Sequence, residues 1–368
     1  MRATGISLGL TLALSLALAG TAQAQLRYRV QSLGVLGAGD VPTGLSPSAL
    51  NNHGTVVGYS STAGDDQLRA FIYENGQARA LGGYSGLTAW EATGINDRGQ
   101  IVGYASNAEL SDTRGFIYEN GQFKDLNPNP GFRPAALPNG INASGQVVGA
   151  LSDGRPFVHD GTQLKPIPFG SEVSTGNAFD INDHGVAVGG VRLQDGGGYA
   201  FAWDGTQVNR LPDPQLGAGS SAIAINNAGQ VVVNTNPLAY LYSAGTYQAL
   251  GSLQGGFTQA IALNEKGWIV GWSQLAVSPH LDHAFLWRNG RMRDLNDLLD
   301  ATLAPHWELT SAMDINERGQ IVGLGFLDGV QRGYIATPVP EAGTWALMLA
   351  GLGGVGAVAW RRRPGPRD

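Results

Sequence analysis

One pattern of apolar and polar positions recurs seven times along the chain. Each copy is a short apolar run, an Asn, two variable residues, a Gly and a second apolar run, and the copies start at Asn51, Asn96, Asn142, Asn182, Asn226, Asn264 and Asn316. Asn at the first and Gly at the fourth position suit a type I turn closed by a left-handed residue. The β-branched and apolar flanks predict strands. Each copy therefore predicts a hairpin of two strands, a and b.

A second block follows each of the first six copies. The blocks read RAFIYENGQARALG (69–82), RGFIYENGQFKDLN (114–127), RPFVHDGTQLKPIP (155–168), YAFAWDGTQVNRLP (199–212), LAYLYSAGTYQALG (238–251) and HAFLWRNGRMRDLN (283–296). In five of them Asn-Gly or Asp-Gly separates two apolar runs, which predicts a second hairpin of strands c and d. Four antiparallel strands per unit of about 44 residues are typical of a propeller blade. We therefore predict an all-β chain folded as a seven-bladed β-propeller.

The seventh unit is shorter than the others. After Asn316 it supplies strand b and then RGYIATP (332–338), and no strand d follows. The segment YRVQSLG (28–34) precedes the first strand a and ends like the other d strands. We expect this N-terminal strand to complete the seventh blade, which would remove the exposed sheet edges. A linear stack of repeats is the alternative, and it would need polar caps at both ends.

Strand a lies nearest the axis of a propeller, where seven strands crowd together. The residue two before each Asn is Gly or Ala in five copies, as crowding predicts, and the exceptions are Asp180 and Asp314. Large aromatic residues cluster in strand c instead, as in Phe71, Phe116 and Trp287. We interpret these rings as packing between blades; an aromatic platform for a ligand is the alternative.

Residues 1–24 have the pattern of a secretory signal. Arg2 supplies the positive start, Ile6–Leu18 the apolar run, and Ala22-Gln23-Ala24 the small-residue site for signal peptidase. Cleavage after Ala24 would leave a mature chain that begins at Gln25. Residues 25–338 are then the predicted propeller domain.

Residues 339–368 predict a second targeting signal. Pro340 and Glu341 precede an uncharged stretch at 344–360, followed by Arg361, Arg362 and Arg363. Seventeen uncharged residues can form a transmembrane helix, with the arginines on the cytoplasmic side. This order resembles the PEP-CTERM sorting signal of Gram-negative bacteria, although Ala342 replaces the second Pro. The resemblance implies processing by exosortase, a membrane protease, and passage from an inner-membrane-anchored intermediate to the cell surface or extracellular matrix.

The repeats resemble another family, the extracellular HAF repeats. The phrases that carry this resemblance are best seen at 283–296 and 315–323, and the resemblance spans about residues 28–337. The name-giving His-Ala-Phe stands only at His283-Ala284-Phe285. The resemblance implies an extracellular location and repeated β structure, and no established reaction.

Composition narrows the functional classes. Removing residues 1–24 and 341–368 takes away five basic and two acidic residues and changes the formal charge from −6 to −9. An acidic domain argues against a nucleic-acid partner. The chain has no cysteine, which excludes disulfides, iron–sulfur clusters and thiol catalysis.

Candidate chemistry is sparse, and the sequence predicts no catalytic group, cofactor or metal site. Asp180 and Asp314 could act as acid and base on a glycan, bind water or cap a backbone group. Asp97 and Asp183 follow the repeated Asn, where turn chemistry explains them better than calcium. His280 and His283 are interpreted as parts of a solvated loop. Trp307 lies in the long non-repeat segment 297–310, and binding residues often lie in such loops.

Two functions from different classes follow. The first is a non-enzymatic surface or matrix propeller that binds or scaffolds a polysaccharide or a matrix protein. The second is a secreted glycan-cleaving propeller that uses Asp180, Asp314 or loop carboxylates. The absence of a recognisable catalytic motif favours the first.

Overall fold

The computed structural model describes residues 26–36, 44–61, 68–84, 86–107, 112–127, 135–214, 219–275 and 282–339. The predicted signal peptide, the helix at 344–360 and the residues Pro340, Glu341 and Arg361–Arg363 lie outside these ranges, as does His280. Within the described ranges no helix is long and apolar enough to cross a membrane. The described chain is instead built from seven antiparallel sheets.

Blades 1 to 3 follow β1 (Tyr28–Ser32) in chain order. Blade 1 comprises β2 (Ser46–Leu50), β3 (Val56–Ser61), β4 (Leu68–Glu74) and β5 (Gln77–Ala80). Blade 2 comprises β6 (Gly83–Tyr84), β7 (Leu87–Ile95), β8 (Ile101–Ser106), β9 (Thr113–Glu119) and β10 (Gln122–Asp125). Blade 3 comprises β11 (Ala136–Ile141), β12 (Val147–Leu151), β13 (Pro156–His159) and β14 (Leu164–Pro166).

Blades 4 to 7 repeat the same order. Blade 4 comprises β15 (Val173–Ile181), β16 (Ala187–Leu193), β17 (Gly198–Trp203) and β18 (Val208–Arg210). Blade 5 comprises β19 (Ser221–Ile225), β20 (Val231–Asn234), β21 (Ala239–Ser243) and β22 (Thr246–Ala249). Blade 6 comprises β23 (Thr258–Leu263), β24 (Ile269–Gln274), β25 (Asp282–Arg288) and β26 (Arg291–Asp294), and a short 3-10 helix, Asn296–Leu298, follows it. Blade 7 contains β27 (Trp307–Ile315), β28 (Ile321–Leu327) and β29 (Val330–Pro338).

The ring is closed by the N-terminal strand, as the sequence predicts. The seventh sheet has the order β1-β29-β28-β27, so β1 serves as its strand d. The Leu33 N–H extends this pairing by donating to the Gly333 carbonyl at 3.0 Å. The seven-bladed propeller is therefore confirmed, and the linear stack is wrong.

The hydrophobic core lies between neighbouring blades. One cluster joins Val57 and Ile72 of blade 1 to Ile101 and Phe116 of blade 2, and the ring-closing cluster joins Phe71 to Val322 of blade 7. Strand c supplies the largest rings, and those at five equivalent positions are fully buried: Phe71, Phe116, Phe157, Phe201 and Phe285. For these residues the predicted inter-blade packing is confirmed.

Every strand a carries a β-bulge just before its Asn. The register between strands a and b shifts by one residue in all seven blades, as between Ala178 and Asp180. At the bulge, a strand-a carbonyl lies against the residue of strand b that stands seven positions after the repeated Asn, which is a glycine in six blades. A Cβ at Gly189 would lie 2.0 Å from the Asn177 oxygen, and five other blades have a glycine there with the same restriction. In these six blades the glycine accommodates the close carbonyl, whereas blade 5 forms the same bulge with Val233 at this position.

The chain divides into two compact units. Tyr28–Thr337 is the propeller, and the other unit comprises Met1–Arg27 with Pro338–Asp368. Of the second unit, the structure describes only residues 26–27 and 338–339. There the Val339 N–H donates to the Arg27 carbonyl at 2.8 Å.

Candidate functional site

Consecutive antiparallel strands define two faces of the propeller. The a–b and c–d turns lie on one face, which we call the ring face, and the b–c and d–a connections lie on the other, which we call the long-loop face. The a–b turns are hydrogen-bonded β-turns closed by a left-handed glycine, as predicted: Gly145 has φ +88° and its N–H donates to the Asn142 carbonyl at 3.0 Å. The seven repeated asparagines begin these turns.

Each repeated Asn first organises its own turn. The Asn142 Oδ1 accepts hydrogen bonds from the backbone N–H groups of Ser144 at 3.1 Å and Gln146 at 2.9 Å. The bond to the residue four positions on is present in all seven blades. The asparagines are only 2–6 % exposed, so the acceptor that organises each turn has little contact with water.

Each repeated Asn also ties its blade to the next. The Nδ2 group donates to the backbone carbonyl of the next repeated Asn, at 2.9–3.3 Å in every step around the ring. The last bond runs from Asn316 back to Asn51 across 265 residues of sequence. Seven bonds of one type thus form a closed hydrogen-bonded circle at the axis.

The residues that follow the asparagines form an outer circle. In six of seven steps, the backbone N–H at this position donates to the side-chain oxygen at the same position of the next blade. The exception is the step from Asp97 to blade 3, where Ala143 has no side-chain oxygen. Asp97 and Asp183 are therefore acceptors for backbone N–H groups. Within the described ranges, no group of three His, Cys, Asp or Glu residues is placed to hold a metal ion.

Asp180 and Asp314 lie two residues before the repeated Asn of blades 4 and 7, at the β-bulges of these blades. The Asp314 Oδ2 accepts from the Leu50 N–H of blade 1 at 2.8 Å, and its Oδ1 accepts from the Ile315 N–H at 2.7 Å. Asp180 makes the same pair of bonds, both at 2.8 Å, to the N–H groups of Ile225 in blade 5 and Ile181. Each carboxylate thus ties two adjacent blades together.

The surroundings of these carboxylates favour their protonated forms. Burial raises the pKa of Asp314 to about 7, against the lowering effect of its two backbone bonds, and the charge of Asp180 adds a smaller upward shift. Burial likewise raises the pKa of Asp180. A carboxyl group removed from bulk water is costly to ionise. The sequence therefore identified two unusual carboxyl groups, and the structure gives both a backbone-capping geometry.

His283 lies in blade 6 and Trp307 in blade 7, and the two side chains make different contacts. Trp307 begins β27 and is half-buried, with its ring centroid 6.1 Å from that of Tyr334. His283 lies in β25, with Nδ1 2.6 Å from the Asp294 Oδ2 and Nε2 3.7 Å from the Glu308 Oε1 of blade 7. The interpretation of His283 as part of a solvated loop is therefore wrong. The pattern that could have revealed its role is the Asp eleven residues later, since Arg114 and Asp125 have the same spacing and also pair, at 3.9 Å.

The long-loop face contains a cleft that the sequence analysis missed. It lies between blades 4 and 5, has a volume of about 480 Å³, and its walls include Asn177, Arg192 and Ser221. A smaller cavity of about 200 Å³ lies on the ring face at the opening of the axial channel, and residues of both circles line it. The polar groups of the channel opening are largely used in inter-blade bonds, whereas several in the cleft are not.

Comparisons with known proteins identify the tail and the fold. The PEP-CTERM protein-sorting motif matches residues 338–363. No curated protein matches the chain. The β-propeller domain of the Trilobed protease from Pyrococcus furiosus, which has an open velcro topology, is similar at TM-score 0.54 and 10% identity over 81% of this chain and 96% of that one.

Two further solved structures share the architecture. The extracellular domain of a putative hybrid two-component system from B. thetaiotaomicron is similar at TM-score 0.52 and 11% identity, over 86% of this chain and 40% of that one. YCF48 bound to D1 peptide is similar at TM-score 0.51 and 11% identity, over 86% of this chain and 96% of that one. At these identities the likeness shows the propeller fold alone.

Proposed function

We propose that this chain is a non-catalytic binding or scaffolding propeller of the cell surface or extracellular matrix. Its sorting motif implies an exported protein that exosortase processes from a membrane-anchored intermediate. The observation that carries the non-catalytic part is the geometry of Asp180 and Asp314. Both oxygens of each carboxylate accept backbone N–H groups from two adjacent blades, which is the geometry of a structural tie.

The distribution of loops supports a binding role. The ring face is held by short turns whose side chains bond from blade to blade, so it forms a rigid base. The long-loop face carries the longer connections and the cleft between blades 4 and 5. Rigid scaffolds that present variable loops on one face commonly bind partners through those loops. A polysaccharide or a matrix protein is the partner class that we propose.

One observation favours a second function, a secreted glycan-cleaving enzyme. Burial raises the pKa of Asp314 to about 7, and a general acid on a glycan needs a carboxyl group that stays protonated near neutral pH. In this alternative Asp314 would be the acid and Asp180 the second carboxylate. Both would have to exchange their inter-blade bonds for a substrate.

A single experiment separates the two functions. Residues 25–338, which contain the whole closed ring, are purified and applied to a glycan array, with product analysis of the same glycans in solution. Binding without new reducing ends supports the binding protein. Release of shorter sugars that is lost in Asp314→Asn, with the ring still folded by circular dichroism, supports the enzyme. If the domain neither binds nor cleaves any glycan, a pull-down against matrix proteins tests the remaining partner class.

A further inference from the structure

The cleft between blades 4 and 5 lies beside a glycine of strand b, Gly190. The residue eight positions after the repeated Asn is large in four other blades, as in Tyr59 and Trp272, and it is Ala150 in blade 3 and Asn234 in blade 5. A Cβ at Gly190 would lie 2.5 Å from the Ser221 Oγ of blade 5. The position thus faces the next blade, and the missing side chain lets Ser221 approach strand b of blade 4. Both residues line the cleft.

The polar side chains of the cleft walls are one guanidinium, one amide and three hydroxyls. No Asp or Glu is among the lining residues, although the mature domain is acidic overall. Arg192 is exposed at the end of β16, and its guanidinium makes no hydrogen bond or ion pair with the described part of the chain. Asp195 adjoins the wall, but its Oδ1 accepts from the Gly197 N–H at 3.0 Å. A guanidinium presents five N–H groups that match a carboxylate.

A second donor in the cleft is held in place from the preceding blade. The Asn139 Nδ2 donates to the Asn177 Oδ1 at 2.6 Å and to the Ala178 carbonyl at 2.8 Å. This fixes the acceptor end of the Asn177 amide, so its Nδ2 group remains available to a ligand. Thr175, Ser221 and the half-buried Phe179 are also among the lining residues.

We infer that this cleft binds a saccharide unit that carries a carboxylate, with Arg192 pairing with the carboxylate and Asn177 bonding to ring hydroxyls. The inference deepens the proposed binding function and rests on it. The volume is within the range of small-molecule sites. The mixture of guanidinium, amide, hydroxyls and one aromatic wall suits a hydroxylated ring with an anionic group, and the lack of lining carboxylates removes the repulsion that such a ligand would meet elsewhere on this acidic domain.

The test uses the full chain in detergent micelles and isothermal titration calorimetry. The probes are oligomers of galacturonate and glucuronate, with the matched neutral oligomers of galactose and glucose as controls. We expect one of the two uronates to bind and its neutral counterpart to bind at least tenfold more weakly. Arg192→Gln should weaken uronate binding at least tenfold. Arg29→Gln, the same change at an exposed residue of β1, should alter it less than twofold.

The outcomes distinguish this inference from the proposed function. If the protein binds a glycan on the array but Arg192→Gln binds it as tightly as the wild type, the cleft assignment is overturned and the binding function stands. If neutral and acidic oligomers bind equally, the carboxylate requirement is overturned. If no saccharide binds at all, both the assignment and the polysaccharide form of the proposed function fail. An Asn177→Ala variant, which keeps Arg192, should lose affinity for both sugar types by a similar factor.

Discussion

At the scale of single residues, the repeated asparagines are explained by the four hydrogen bonds that one side chain can make. In Asn142 the Oδ1 accepts two backbone N–H groups, while Nδ2 donates to the Asn182 carbonyl and to the Gln146 Oε1. An Asp would keep the acceptor but would place an oxygen against two other oxygens. No other side chain of this size combines one acceptor with two donors.

We predict that Asn142→Ala lowers the free energy of unfolding by about 3 kcal/mol. The substitution leaves the N–H groups of Ser144 and Gln146 without their acceptor and removes one of the two hydrogen bonds that the Asn182 carbonyl accepts. An unsatisfied group costs about 1–3 kcal/mol. Urea titration measures the change. Asn209→Ala is the control, because Asn209 is exposed and makes one weak bond of 3.5 Å to Asp204; an equal loss in both variants would contradict the prediction.

The Asp314 side chain predicts a pH dependence with a definite sign. Its folded-state pKa of about 7 lies above the ordinary 3.8, so the folded state binds more protons than the unfolded state between these values. Stability from this group is therefore lost as pH rises through that window. We predict that the stability advantage of wild type over Asp314→Asn shrinks by about 2 kcal/mol between about pH 5 and pH 8.

Urea titrations of both proteins at the two pH values measure this difference. The control is Asp204→Asn, since hydrogen bonds from Gln207 and Thr206 lower the pKa of Asp204 to about 2. Asp204 therefore stays ionised in both conditions, and its substitution should have the same effect at each pH. A gap between wild type and Asp314→Asn that stays constant or widens with pH would refute the predicted role of Asp314.

Part of this residue-scale chemistry could be read from the sequence. Asp180 and Asp314 stand out because they interrupt a Gly/Ala pattern, and backbone capping was one of their predicted roles. Their actual partners, the N–H groups of Ile225 and Leu50, lie in the next blade. Such partners depend on how the blades meet, which local patterns do not contain. The importance of Gly190 likewise follows only from packing, because its close neighbour Ser221 belongs to the next blade.

At the scale of elements, the strands were predictable and the bulges were not. The alternation of apolar runs with Asn-Gly turns predicts strands c and d, and Asn289 and Gly290 indeed have the left-handed φ values of 52° and 75° that such turns require. The bulge of strand a follows from a register shift between two strands. Its only local sign is the glycine that accommodates the displaced carbonyl.

The closing strand β1 offers a test of its buried contacts. Tyr28 is fully buried, and its hydroxyl has no hydrogen-bond partner in the described part of the chain. An unpaired buried hydroxyl is unfavourable, whereas the ring contributes to packing. We predict that Tyr28→Phe raises the free energy of unfolding by up to about 1 kcal/mol, whereas Tyr28→Ala lowers it by about 3–5 kcal/mol.

Differential scanning calorimetry of the three proteins measures both changes. The Ala variant should also unfold less cooperatively, because a loosened β1 exposes the edge of β29. A destabilising Tyr28→Phe change would mean that the hydroxyl has a partner, and the prediction would be wrong.

At the scale of the whole molecule, the directions of the strands of blade 7 determine where the propeller ends. β27 runs toward the ring face, β28 runs back, and β29 returns to the ring face, where Pro338 ends it. The propeller unit therefore ends on the face that carries the closed circle of asparagines.

The circle of asparagines also has a consequence for chains that are not finished. Each blade gives one hydrogen bond to its successor and receives one from its predecessor, so every partial set of blades has a free donor at one end and a free acceptor at the other. During synthesis the emerging blades have the means to bond head to tail with those of a neighbouring polypeptide. That risk ends only when Asn316 meets Asn51. The circle thus favours seven blades, because a ring with another number would change the angle between neighbouring blades and distort these hydrogen bonds.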